Sequence, residues 1–223
     1  MKYKTQLAIC IATISMLFSY ENKFSYVNAV AGAGRVSLEH TPEFIDRSDG
    51  YTRLARIGEG HTTMEGMPEL PNFTTFYQVD PYKTYNFLFE VLDSYIIEDI
   101  NILPHQGIEK WEVESVNVIN EEVYNSYSVY PEQNMLVADR MQGRGIEFVS
   151  IQVIPYKYYP KYERLEVYIS IDIQIVETGD NPNYTLSQPK RSHIFDEFYK
   201  DFIINFEYSD RPDDYQASSI LYI

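Results

Sequence analysis

The sequence predicts an all-β fold: an antiparallel β-sandwich followed by one C-terminal helix and a linker. Three observations predict it. Leu165, Val167, Ile169, Ile171, Ile173 and Ile175 alternate with Glu166, Tyr168, Ser170, Asp172 and Gln174, the period of a strand with one buried and one wet face. The 223 residues include 21 Tyr and 12 Phe against one Trp, and these rings suit half-buried pleated surfaces. Short apolar runs recur without the strand–helix–strand rhythm of a parallel sheet.

In chain order, Met1-Lys2-Tyr3-Lys4 is a positive start, Leu7 to Phe18 is a short apolar run, and Val27-Asn28-Ala29 is a small-residue cleavage site, with Ala31 and Ala33 as alternatives. This is the layout of a secretory signal peptide over residues 1–29. The run is too short to span a bilayer, so no membrane span is expected once the leader is removed. The only cysteine, Cys10, lies inside the leader. The exported part has no disulfide, thiol nucleophile or thiolate ligand.

Residues 30–208 are expected to form the sandwich. Strands are predicted at Arg35–Glu39, Tyr51–Ile57, 73–79 and 84–92, with Asp80-Pro81 turning the last two. Gly58 to Pro71 is a Gly- and Pro-rich interruption. Ile96 to Leu103 is an apolar run stopped by Pro104, Trp111 to Val118 alternates weakly, and Val149, Ile151 and Val153 share a strand face. A helix is expected from Ser192 to Asn205, with Phe195, Phe198, Tyr199 and Phe202 as a core-facing stripe. Asp210 to Ser219 reads as an exposed linker. The apolar end, Ile220 to Ile223, reads as the first strand of a further domain, because a bare terminal strand is an exposed edge.

The chemistry is sparse. A net charge of −15 repels phosphate backbones, so no nucleic-acid partner is expected. His40, His61, His105 and His193 show no metal-ligand spacing, and no serine lies in a nucleophile-elbow pattern. Glu121-Glu122 and Asp213-Asp214 are neighbours that face apart in extended chain and form no acid–base dyad. No catalytic residue, metal or cofactor is expected, and the chain reads as a non-enzyme.

Four segments resemble, in order, the N-terminal propeptide of gingipain-like (C25-type) cysteine proteases. They are Gly66-Met67-Pro68-Glu69-Leu70-Pro71, Ile102-Leu103-Pro104-His105-Gln106, Arg144-Gly145 running into Phe148 to Pro160, and Phe195 to Asn205. Tyr159 departs from the pattern, which often has Asn there. The resemblance implies a prodomain that helps its own downstream cysteine protease domain to fold and holds it latent. It also implies a secreted or bacterial cell-surface destination. The last residues then open the protease domain, which carries the catalytic groups.

On that reading Arg140 or Arg144, in Asp139 to Gly145, enters the specificity pocket, and activation cleavage falls near Arg191 or Arg211. The rival reading is a cell-surface adhesion or carbohydrate-binding sandwich, with Tyr156, Tyr158, Tyr159 and Tyr162 stacking on sugars.

Overall fold

The computed structural model describes residues 23–30, 33–46, 49–54, 60–107, 118–184 and 189–217. Residues 111–117 of the weak alternation, residues 55–57 of the second predicted strand and the apolar end at 220–223 lie outside the described residues. Two five-stranded antiparallel sheets pack face to face. The first is built on β12 (Arg164–Asp180), with β7 (Lys83–Ile97) along one edge. Its other edge is shared by β2 (Ala33–Glu39) and β11 (Tyr156–Tyr159), and β1 (Lys23–Val30) adds to β2. The second runs β5 (Gly60–His61), β6 (Pro71–Val79), β10 (Glu147–Val153) and β8 (Met135–Val137), with β9 (Met141–Gln142) also on β10. A small hairpin joins β3 (Phe44–Asp46) and β4 (Thr52–Leu54).

β12 follows the alternation that predicted it. Leu165, Val167, Ile171, Ile173 and Ile175 are fully buried, each burial contributing roughly 1.5–3 kcal/mol. Ile169 is only half-buried, because the register shifts between Tyr168 and Ser170. Such an irregularity bends the strand. Leu165 and Val167 therefore join one core with Leu54, Leu70, Ile102, Tyr156 and Tyr158. Tyr168 and the later isoleucines join the main core with Val36, Leu38, Phe73, Val149, Ile151 and Val153. Nor is the predicted wet face wholly wet. Asp172 is buried, held by Arg35 Nε at 3.0 Å and by the Ser37 hydroxyl, which donates at 3.2 Å.

β7 is longer than expected and absorbs Ile96. Tyr85, Phe87, Phe89 and Val91 pack on the main core, as their common parity predicts. The turn into β7 follows from Asp80, whose carboxylate accepts from Tyr82 N–H at 2.8 Å, the usual way Asp nucleates a turn. Glu121 and Glu122 open a one-turn helix, α1 (Glu121–Tyr124), capped by Asn120; acidic groups suit that end.

The C-terminal helix is shorter than predicted. α2 spans His193–Tyr199, and Ser192 precedes it without a side-chain capping bond. Tyr199 and Ile203 cover the outer face of the second sheet through Phe76, Phe148, Phe202 and Phe206. Phe195 and Phe198 face solvent instead of the core, which corrects half of the predicted stripe. The following segment is docked and not a free linker. Arg191 N–H donates to Asp214 O at 2.8 Å, and Gln216 N–H donates to Arg191 O at 2.9 Å. No helix among the described residues is long and apolar enough to cross a membrane.

Candidate functional site

The site is the hairpin joining β9 to β10 together with the α2 surface beside it. Gly143 N–H donates to Ile146 O at 2.9 Å, closing a two-residue loop of Arg144 and Gly145. Gly145 has φ 78°, a left-handed conformation that glycine adopts without steric cost. A Cβ there would lie 2.6 Å from Arg191 N, and one on Gly143 would lie 2.4 Å from the Tyr199 hydroxyl. Arg144 N–H donates to that same hydroxyl at 3.1 Å. The loop is thus pressed against Tyr199 of α2 on one side of Arg144 and against Arg191, just before α2, on the other.

The two arginines of this segment differ. Arg140 is tied down: it donates to Asp80 O and Lys83 O and pairs with Glu147 at 3.1 Å. It pins the β6–β7 turn to β10. Arg144 is exposed. Its guanidinium lies over the Phe195 ring at 5.2 Å and makes no ion pair among the described residues. Ile194 and Phe198, the latter 62% exposed, extend an apolar surface from Phe195. Exposed apolar side chains therefore flank the Arg144 cation.

Arg191 and Arg211 also separate. Arg191 is 8% exposed and pairs with Asp196, which is 0% exposed, at 3.0 Å. It further donates to Glu207 O at 2.8 Å. Tyr215 completes the cluster, its hydroxyl donating to Asp196 at 2.7 Å and its ring stacking on His193 at 3.9 Å. Burial first, then the Asp196 bond, raises the Tyr215 phenol above its ordinary pKa, so it stays protonated and donates. Arg211 has an 81% exposed side chain, pairing among the described residues with Asp214. The peptide bond after it leads into Pro212, and its carbonyl accepts from Asp214 N–H. The carbonyls of both arginines are thus hydrogen-bonded to the 209–217 strap.

Tyr156 and Tyr158 are fully buried and cannot stack on a sugar. Tyr159 and Tyr162 lie instead under Arg164, at 4.6 and 5.6 Å. Half of the aromatic run that motivated a carbohydrate site is core, Tyr159 is half-buried and Tyr162 is exposed. What sequence spacing missed is a cluster of His61, Glu69 and His105. Glu69 lies eight residues after His61 and 36 before His105, and pairing of the segments that carry them brings the three together.

Comparison with known proteins agrees with this architecture. The chain is 25% identical over 170 residues to gingipain R2 from two strains of Porphyromonas gingivalis, covering 73% of this chain and 23% of that protein. It thus spans about a quarter of the length of these relatives. Among solved structures it is similar to a chain in the complex of Porphyromonas gingivalis RgpB pro- and mature domains. The TM-score is 0.67 at 19% identity, covering 84% of this chain and 100% of that one. It is also similar to a structure described as giving insight into the zymogenic latency of gingipain K from Porphyromonas gingivalis. There the TM-score is 0.58 at 16% identity, over 73% of this chain and 96% of the other. The Propeptide_C25 profile matches residues 45–212, and the chain belongs to that propeptide family.

Proposed function

We propose that this chain is the exported N-terminal propeptide of a cysteine protease, assisting the folding of the protease domain that follows it and holding that domain latent. The family match carries the reading, and the exposed Arg144 beside the apolar surface of α2 supplies its mechanism. A rigid hairpin presents one long cation into a pocket that selects basic residues. Ile194, Phe195 and Phe198 bury apolar area around it. Tethering on one polypeptide keeps the local concentration high. Of the two arginines near the C-terminal end, Arg211 is the more accessible, and cleavage beside it after the strap opens releases the domain. The signal-peptide layout supports export and a secreted or cell-surface location.

The test adds the folded chain in trans to the separately produced domain that follows in the native reading frame, and measures hydrolysis of a basic-residue peptide. Inhibition is expected. Arg144→Ala should weaken it at least about tenfold, the scale of a lost anchor residue, with an unchanged Tm. Equal inhibition by wild type and Arg144→Ala would remove Arg144 from the mechanism. Absence of any inhibition would overturn the latency reading.

A further inference from the structure

Glu69 is 5% exposed and lies in the middle segment of a small ribbon. On one side His61 pairs with Pro71, and Thr62 N–H donates to Leu70 O at 2.8 Å. On the other, Glu69 N–H donates to Leu103 O and His105 N–H donates to Met67 O, each at 2.8 Å. Residues two apart in extended chain share a face. The pairing therefore makes His61 and His105 diagonal neighbours of Glu69, one on either side. His105 Nδ1 lies 3.0 Å from Glu69 Oε2, and His61 Nε2 lies 4.0 Å from the same oxygen. The imidazole centroids are 5.1 Å apart. One ligand atom from each residue lies within 4.8 Å of the other two. Arg53 Nε, 3.2 Å from Glu69 Oε1, orients the carboxylate so that Oε2 faces both rings.

We propose that His61, Glu69 and His105 bind one divalent transition-metal ion, with zinc the best chemical match. Two imidazoles and a carboxylate with an open fourth position suit zinc, whereas calcium and magnesium take oxygen ligands. Bonds of about 2.0 Å in a tetrahedron place ligand atoms ~3.3 Å apart. Small side-chain rotations close the site from its present spacing. The ion replaces the hydrogen bond between His105 Nδ1 and Glu69, the imidazole ligating as the neutral tautomer that carries its hydrogen on Nε2. Arg53 then acts as an outer partner that positions the carboxylate. Bound metal ties β5, the 66–70 segment and the 101–106 segment together, and acid releases it because the imidazoles must be unprotonated to ligate. The metal site is independent of the latency mechanism.

The test uses the whole exported chain, stripped with EDTA and titrated with zinc chloride by calorimetry, and with cobalt chloride by visible absorption. One zinc per chain, a raised Tm and intense cobalt bands of a four- or five-coordinate site are expected. His61→Ala and Glu69→Gln should each weaken zinc binding at least about tenfold, while His193→Ala leaves it unchanged. If a variant fails to fold, the wild-type stoichiometry and cobalt spectrum still decide. Absence of saturable zinc uptake, or uptake undiminished in folded His61→Ala, would overturn the proposal and leave a hydrogen-bonded His–Glu–His cluster.

Discussion

His40 is the residue with the sharpest pH consequence. It is buried between Phe73 and Tyr156, with Nε2 2.8 Å from the Tyr156 hydroxyl. Burial pushes its pKa down from 6.5 to about 4. Between those values the unfolded chain takes up a proton that the folded chain refuses, so stability falls as the pH drops through that window. Above pH 6.5 both states are neutral, and below about 4 both are charged. Urea unfolding at stepped pH should show a loss of roughly 3 kcal/mol across the window, and His40→Gln should flatten it. Arg191 is the second informative residue. Arg191→Ala leaves the buried Asp196 carboxylate with the Tyr215 hydroxyl as its remaining side-chain partner among the described residues, and the same unfolding assay should show a cost of about 3–5 kcal/mol.

Among the elements, the β9–β10 hairpin, the strap and β1 each carry a testable consequence. Gly145→Ala puts a side chain into a left-handed turn and against Arg191. It should cost about 1 kcal/mol or more and displace Arg144, so inhibitory potency falls further than stability does. The strap at 209–217 is held by Tyr215. Tyr215→Ala removes a hydrogen bond to a buried carboxylate and a stacked ring, worth roughly 1–3 kcal/mol of local opening. Proteolysis around Arg211, followed by mass spectrometry, should then accelerate about tenfold. β1 bears on the leader. Cleavage after Ala29 removes all of β1 but Val30, although Phe24 and Tyr26 pack against the main core. We expect the exported chain to retain β1, read as an intact mass that begins at or before Lys23; a mass beginning at Val30 would instead make β2 the sheet edge.

Over the whole molecule, the antiparallel β class, the faces of β7 and β12, the turn at Asp80 and the resemblance to a propeptide family are legible in the amino-acid sequence. They are legible because strand alternation and turn chemistry are local: each residue's neighbours along the chain carry the signal. β3, β8 and β9 are not, since two or three residues hold no period and their pairing partners supply the order. The stripe of α2 departs from expectation for a related reason. Helical spacing shows that Phe195, Phe198, Tyr199 and Phe202 lie near one another, but only the sheet beneath decides which of them it covers. Packing, not pattern, distinguishes Arg140, which binds the β6–β7 turn, from Arg144, which has a ring beneath it and solvent beyond. Packing also buries Arg191, leaves the Arg211 side chain exposed, and brings His61, Glu69 and His105 onto one face. Those outcomes depend on contacts between residues distant in the chain, and such contacts exist only once the sheets have paired and packed.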